Sequence, residues 1–106
     1  MLPGRYLPVM AALLFGAIAV PAHAATIQIT MENLVFAPAE ASAKVGDTIE
    51  WINKDIFLHT ATARNGDWDV TMPPKKTVIS VLKKAGAIEY YSRYHPNMKA
   101  VLTIAP

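Results

Sequence analysis

The chain contains no cysteine. It therefore has no disulfide framework, although small exported domains often depend on one, and it has no thiolate to bind a metal or act as a nucleophile. Charge is also scarce, since charged residues make up 17% of the chain and the formal net charge is +2. Without a basic stripe the composition argues against nucleic-acid binding. A packed core, with or without a bound metal, must hold the fold together.

The N-terminal segment resembles a secretory signal peptide. Arg5 is followed by a mostly apolar run, residues 7–20, and then by Ala22-His23-Ala24, which fits the A-x-A cleavage pattern. We therefore predict a signal peptide over residues 1–24, export to the periplasm, and a single mature domain over residues 25–106. The apolar run is shorter than the ~20 residues that a membrane span needs, so we expect no span after cleavage. An uncleaved membrane anchor is the alternative interpretation.

The remaining sequence alternates between apolar and polar residues with a period of two, which is typical of half-buried strands. No convincing pair of helix start and stop signals follows residue 24. Short strands separated by turns predict an all-β protein, a small β-sandwich or barrel. We expect a monomer. The predicted strands are Thr26–Met31, Thr48–Asn53, Thr77–Leu82, Ala87–Tyr91 and Ala100–Ile104.

Two polar residues interrupt otherwise apolar faces. Asn53 continues the face of Ile49 and Trp51, and Ser92 continues the face of Ile88 and Tyr90. A polar side chain on an inward face needs a hydrogen-bond partner or a function. Each could simply cap a strand end by bonding to backbone, and the alternation alone leaves both interpretations open.

The histidines and one methionine suggest a metal site. Residues 25–106 contain only His59 and His95, and Met98 follows His95 by three residues in a short loop. Electron-transfer copper proteins hold copper with two histidines, a cysteine and a weak axial methionine. Ser92 stands where such a loop would carry its cysteine.

Three separated motifs resemble those of the cupredoxins, in particular amicyanin and its relatives. Lys44–Asn53 is similar to that family's Val-Gly-Asp strand leading to Trp-x-Asn, and His59 follows Asn53 by the family's spacing. Ala85–Tyr91 is similar to the strand that ends at the ligand cysteine, and His95-Pro96-Asn97-Met98 completes the ligand loop. The resemblance implies a Greek-key, plastocyanin-like domain over residues 25–106 with a blue type 1 copper centre and an electron-transfer role.

The resemblance also implies a role for each site residue. His59 and His95 would be imidazole ligands of one copper ion, and Met98 would be the axial thioether. Asn53 would tie the two ligand loops together, as it helps to hold the thiolate in the family. Ser92 occupies the position of the cysteine ligand.

Ser92 changes the chemistry that the resemblance implies. A serine hydroxyl is a hard donor that ionises far less readily than a thiol, so no copper–thiolate bond can form. We expect a weakened site that prefers Cu(I), or an open Cu(II) site completed by an exogenous ligand. Three functions remain open: an electron-transfer cupredoxin, a Cu(I) carrier or sensor, and a metal-free interaction domain. The expected partner is a redox or copper-handling protein. An enzyme is not expected, because no oxyanion hole accompanies Ser92 and His95.

Overall fold

The computed structural model describes residues 23–106, which form nine β-strands in two facing sheets. The predicted signal segment lies outside the described residues except for His23 and Ala24, which are exposed. In residues 23–106 there is no helix that is long and apolar enough to cross a membrane.

Two sheets pack face to face as a β-sandwich. The four-stranded sheet has the order β2-β1-β4-β7, and the five-stranded sheet has the order β3-β9-β8-β5-β6. The β1–β4 and β3–β9 pairs are parallel, and the other pairs are antiparallel. The strands are β1 Thr26–Glu32, β2 Val35–Ala37, β3 Glu40–Lys44, β4 Thr48–Asn53, β5 His59–Ala63, β6 Asp69–Met72, β7 Thr77–Val81, β8 Gly86–Tyr91 and β9 Lys99–Ala105.

The period-two patterns identify the inward faces correctly. In β4, Ile49, Trp51 and Asn53 are buried and alternate with half-buried residues, as expected for a strand with one face in the core. In β8, Ile88 and Tyr90 are buried, and Ser92 continues their face just beyond the strand. The all-β sandwich predicted from the sequence is therefore confirmed.

Aromatic side chains form a cluster in the core of the sandwich. Tyr90 packs edge-on against Trp51 and Phe36, with ring centroids 5.4 and 4.8 Å apart. Trp68 closes the cluster at 5.4 Å from Tyr90 and 5.8 Å from Trp51. Such pairs stabilise a core beyond the area that they bury. Since Tyr90 lies two residues before Ser92, this cluster packs behind the start of the loop between β8 and β9.

Asp47 fastens the start of β1 to the turn before β4. Its carboxylate accepts hydrogen bonds from the backbone N–H of Ala25 at 2.8 Å and of Lys44 at 2.9 Å. These two bonds lower the pKa of Asp47 below the usual 3.8, that of Ala25 contributing most, while burial acts in the opposite direction. A hydrogen-bonded carboxylate in this position stabilises the fold only while it is ionised.

We expect the stabilisation by Asp47 to disappear in acid. Its pKa is lower in the folded chain, so its contribution is complete above the unfolded pKa and is lost as the pH falls through the folded value. The free energy of unfolding of Asp47→Asn should therefore lie below that of the parent at neutral pH, and the gap should close below about pH 4. Denaturant unfolding of both proteins across this range tests the expectation, and a gap independent of pH would contradict it.

Candidate metal centre

The four predicted ligand residues meet at one end of the sandwich, one at the start of a strand and three in the loop between β8 and β9. His59 is the first residue of β5. Ser92 directly follows β8, Met98 directly precedes β9, and His95 lies between them. His59, Ser92 and Met98 are buried, and His95 is half-buried. The long-range pairing of β5 with β8 brings the distant histidine to the loop.

Backbone hydrogen bonds close the loop between β8 and β9 on itself. The N–H of His95 donates to the carbonyl of Ser92 at 3.2 Å, and the N–H of Met98 donates to the carbonyl of His95 at 2.8 Å. The N–H of Ser92 in turn donates to the carbonyl of Met98 at 3.1 Å. The three residues thus occupy successive tight turns, so their relative positions are set by the backbone before any ligand binds.

The two imidazoles pack edge-to-face, and each has a nitrogen without a hydrogen-bond partner in residues 23–106. Their ring centroids are 5.0 Å apart and the ring planes cross at 68°. The Nδ1 atoms of His59 and His95 are both buried, and neither has a hydrogen-bond partner in residues 23–106. A buried ring nitrogen without a partner is costly, because it has lost its hydrogen bond to water. Two such nitrogens in neighbouring rings fit a metal ion that both could bind.

Asp55 determines which nitrogen of His59 is available. Its Oδ2 lies 2.8 Å from Nε2 of His59. An ionised carboxylate can only accept a hydrogen bond, so the ring proton belongs on Nε2 and the lone pair on Nδ1. Carboxylates commonly orient metal-binding histidines in this way. Asp55 was not predicted as a site residue, although its position four residues before His59 was a possible signal.

The same carboxylate holds the turn between β1 and β2. Oδ1 of Asp55 accepts the N–H of Asn33 at 2.7 Å, and Oδ2 accepts the N–H of Leu34 at 3.0 Å. Asn33 and Leu34 have φ angles of 56° and 61°, in the left-handed region that a two-residue hairpin turn requires. Burial raises the pKa of Asp55, but the hydrogen bonds from His59, Leu34 and Asn33 outweigh it and lower the pKa overall. Asp55 therefore stays ionised and links this turn to His59.

Thr60 connects the two ligand segments. Its backbone N–H donates to Oγ of Ser92 at 3.3 Å, and its hydroxyl accepts the N–H of Arg93 at 2.8 Å. Both Thr60 and Ser92 are fully buried. The Ser92 oxygen therefore sits in a defined position beside the histidine segment, where a donor already points at it. An acceptor of larger radius, such as a thiolate sulfur, would meet the same N–H.

Asn53 does not make the link between the ligand loops that the resemblance implied. Its side-chain amide donates to the carbonyls of Phe57, Met72 and Pro73 at 2.8, 3.0 and 3.2 Å, and its oxygen accepts the N–H of Asp55 at 2.9 Å. It thus holds the segment before His59 against the end of β6. The expectation for Asn53 is corrected because the hydrogen bonds that join the two segments come from Thr60.

The donor set is neutral, and apart from the hard hydroxyl of Ser92 it suits copper. In the part of the chain that the structure describes, no three His, Asp or Glu side chains cluster as a metal site. A metal at this end would rely on two imidazoles, the buried thioether of Met98 and the hydroxyl of Ser92. Imidazole and thioether suit copper, and the thioether favours Cu(I). The residues present therefore fit a copper ion better than a hard divalent cation.

An open groove leads from the surface to the site. It encloses about 350 Å³ and is lined by Leu34, Tyr94, His95, Pro96, Asn97 and Met98. Exposed apolar side chains surround it, with Tyr94 51% and Phe57 45% exposed. The Phe57 ring packs edge-on against His95 with centroids 5.4 Å apart. We call Leu34, Ile56, Phe57, Tyr94 and Pro96 the rim.

Comparisons with known proteins agree with this architecture. A family model described as a cupredoxin-like domain matches residues 5–104. The methylamine utilization protein MauL of Methylorubrum extorquens is 30% identical over 105 residues, covering 95% of this chain and 92% of that protein. The fold superposes on amicyanin from Paracoccus versutus with a TM-score of 0.63 at 23% identity, covering 80% of this chain and 84% of that one.

A second solved structure, the reduced Cu(I) form of an amicyanin mutant at pH 4, gives the same TM-score of 0.63 at 23% identity and covers 80% of this chain and 85% of its own. At such identity the structural likeness establishes the fold alone. The family model and the MauL relative span nearly the whole sequence. The chain belongs to the cupredoxin-like family, is similar in sequence to MauL, and shares its fold with amicyanin.

Proposed function

We propose that this protein binds a single copper ion, preferentially as Cu(I), through His59, His95 and Met98, with Ser92 at the fourth position. The observation that carries the proposal is the pair of buried Nδ1 atoms, which have no hydrogen-bond partner in the described residues. Copper would supply the capacity to exist as Cu(I) or Cu(II). The mature protein would be the domain over residues 25–106, working in the periplasm after cleavage behind Ala24.

Charge favours the lower oxidation state. All four proposed ligands are neutral, so the ion would keep its full charge in a largely buried site, and Cu(II) would cost more to bury than Cu(I). The carboxylate of Asp55 offsets part of this charge, but it lies across the imidazole from Nδ1. We therefore infer a Cu(I) carrier or sensor. Catalysis is not part of the proposal, because Ser92 Oγ makes no hydrogen bond to His95 in the described residues and no nucleophile–base pair results.

A competition titration with a Cu(I) chelator tests the site. We expect residues 25–106 to bind one Cu(I) per chain and His59→Ala/His95→Ala to lose this binding, because the two nitrogens supply most of the donor set. Met98→Leu should weaken Cu(I) binding about tenfold or more, because it removes a residue that contacts the metal directly. Removing even a residue that only hydrogen-bonds to a metal ligand typically lowers metal affinity ~10–100-fold. Thr71→Val, a substitution at an exposed position of β6 that is not a proposed ligand, is the control and should bind Cu(I) as the parent does. Equal binding by the parent and the double variant would refute the proposal.

Electron transfer is the second candidate function, favoured by the rim. Phe57 and Tyr94 are exposed beside His95, and an apolar surface around a redox centre suits brief docking of a redox partner. The relative's name, methylamine utilization protein, is consistent with a redox system, and such a system is the partner class that we would test first.

Voltammetry of the copper-loaded protein separates the two candidates. Each tenfold preference for Cu(I) raises the reduction potential of the bound copper by about 59 mV above that of the free ion, for this one-electron couple. We expect a raised potential and loss of copper on oxidation, because neutral ligands hold Cu(II) poorly. A reversible wave without copper loss would instead favour electron transfer. Tyr94→Lys, which changes the rim but no proposed ligand, should leave the potential nearly unchanged.

A further inference from the structure

Strand β7 offers a second interaction surface, at an edge of the fold that carries none of the proposed metal ligands. It is the last strand of the four-stranded sheet, and among the described residues it pairs only with β4. Ile79 is 62% exposed and Val81 52% exposed. An edge strand with exposed apolar side chains and no proline or charge within it is a template for a further strand.

The hydrogen-bond pattern identifies which backbone groups are free. The N–H of Asn53 donates to the carbonyl of Lys76 at 2.9 Å, so these residues form a hydrogen-bonded pair. Such pairs alternate along an antiparallel ladder. The register therefore makes Val78 and Ser80 the residues of β7 that form hydrogen bonds with β4. Thr77, Ile79 and Val81 consequently direct their N–H and C=O groups toward the open edge.

Lysines flank this strand on both sides. Lys75 and Lys76 precede it, Lys83 and Lys84 follow it after Leu82, and all four are exposed. Lys84 is 3.8 Å from Asp67. Lys76 and Lys83 make no ion pair in residues 23–106. The open edge thus has an apolar centre and an uncompensated positive charge at each end.

This charge distribution excludes one occupant and favours another. In an antiparallel pair of two copies centred on Ile79, the first lysine pair of one copy would face the second lysine pair of the other, and like charges placed opposite destabilise a sheet. An extended segment with acidic residues at both ends would instead place its charges beside the lysines. A surface groove of about 240 Å³ borders the end of β7 and is lined by Asp67, Trp68, Val81, Lys83 and Lys84, so this part of the edge is accessible.

We infer that β7 accepts an added strand from another protein. This strand would be an extended segment of about six residues, alternately apolar and polar, with acidic residues at both ends. Its length follows from the six residues 77–82 that separate the lysine pairs, at ~3.3 Å per residue. Main-chain hydrogen bonds to Thr77, Ile79 and Val81 would give affinity, and the lysines would give specificity. This inference needs no copper and is independent of the proposed metal site.

Labelled peptides test the inference on the copper-free protein. The probe has an alternating Val-Thr core with two Glu at each end, and its matched control has Lys in place of Glu. We expect the Glu-ended peptide to bind at least tenfold more tightly, and Lys76→Glu/Lys83→Glu to reverse this preference. N-methylation of the peptide at alternate residues should abolish binding, because it removes the main-chain donors while keeping the charge. Bound peptide should also slow amide exchange at Ile79.

Three results would overturn the inference. If neither peptide binds at millimolar concentration, the lysines serve only to keep this edge from pairing. If the N-methylated peptide binds as well as its parent, the attraction is electrostatic and no strand is added. If sedimentation shows self-association that Ile79→Lys removes, the occupant is a second copy of the chain.

Discussion

Replacing Ser92 by Cys is expected to turn the Cu(II)-loaded protein intensely coloured, whereas the parent protein stays nearly colourless in the visible range. The buried Ser92 oxygen sits beside the histidine segment, and the N–H of Thr60 points at it from 3.3 Å. A thiol placed there ionises readily on a metal, and the copper–thiolate bond is the source of the strong visible band. The same N–H would then donate to the thiolate and hold it.

The substitution should also shift the preference for oxidation state. A thiolate adds one negative charge to a neutral donor set, so it offsets the cost of burying Cu(II). Changing a residue that hydrogen-bonds to a metal ligand typically alters metal affinity by roughly 10–100-fold. We expect Ser92→Cys, which changes a proposed ligand itself, to raise Cu(II) affinity by more than this. Absorption spectra and a Cu(II) competition titration measure the two effects together.

Two comparisons make this result interpretable. Thr103→Cys places a thiol at an exposed position near the end of β9, well beyond Met98 along the strand, and should give neither colour nor tighter binding. If Ser92→Cys folds and binds copper but remains colourless, the loop has been aligned wrongly with the cupredoxin ligand loop. A strong visible band in the parent would be equally damaging, because a chain without cysteine has no thiolate to produce it.

The strands that could be predicted from the sequence are those with one buried face. β4 and β8 alternate clearly because large apolar residues point inward and polar residues point outward. The strands β2, β3, β5 and β6 were missed. β5 reads His-Thr-Ala-Thr-Ala and is buried on nearly every residue, so it has small side chains and no contrast between faces. β2 has only three residues, too few to show a period.

The proposed ligands could be found because their identities and spacing are local, but the groups that position them could not. Asp55 lies only four residues before His59, but its carboxylate is also bound by the β1–β2 turn, more than twenty residues earlier in the chain, and this long-range contact has no local sequence signal. Thr60 meets Ser92 through a contact between residues that are 32 positions apart. Asn53 was given Thr60's role, since an inward polar residue shows that it needs partners without showing which partners these are.

Replacing Asp55 by Ala is expected to weaken both the copper site and the fold. The substitution removes the acceptor of His59 Nε2 and of the N–H groups of Asn33 and Leu34. We expect the free energy of unfolding to fall by about 2–4 kcal/mol, because a charged acceptor is lost and buried donors remain unpaired. Cu(I) affinity should fall by about 10–100-fold, since nothing then fixes the ring orientation or its tautomer.

Asp55→Asn separates these two effects. The Asn oxygen can take the place of Oδ2, where it serves both His59 and Leu34, while its NH₂ group faces only Asn33. The opposite orientation would set the NH₂ group against two donors, so the first should prevail. His59 would then keep its proton on Nε2 and its lone pair on Nδ1, and copper affinity should fall much less than in Asp55→Ala. Ring ¹⁵N shifts of the copper-free variants report the tautomer directly. If Asp55→Ala leaves both the copper affinity and the ring ¹⁵N shifts unchanged, then the β5 backbone alone orients His59, and the carboxylate serves only the turn.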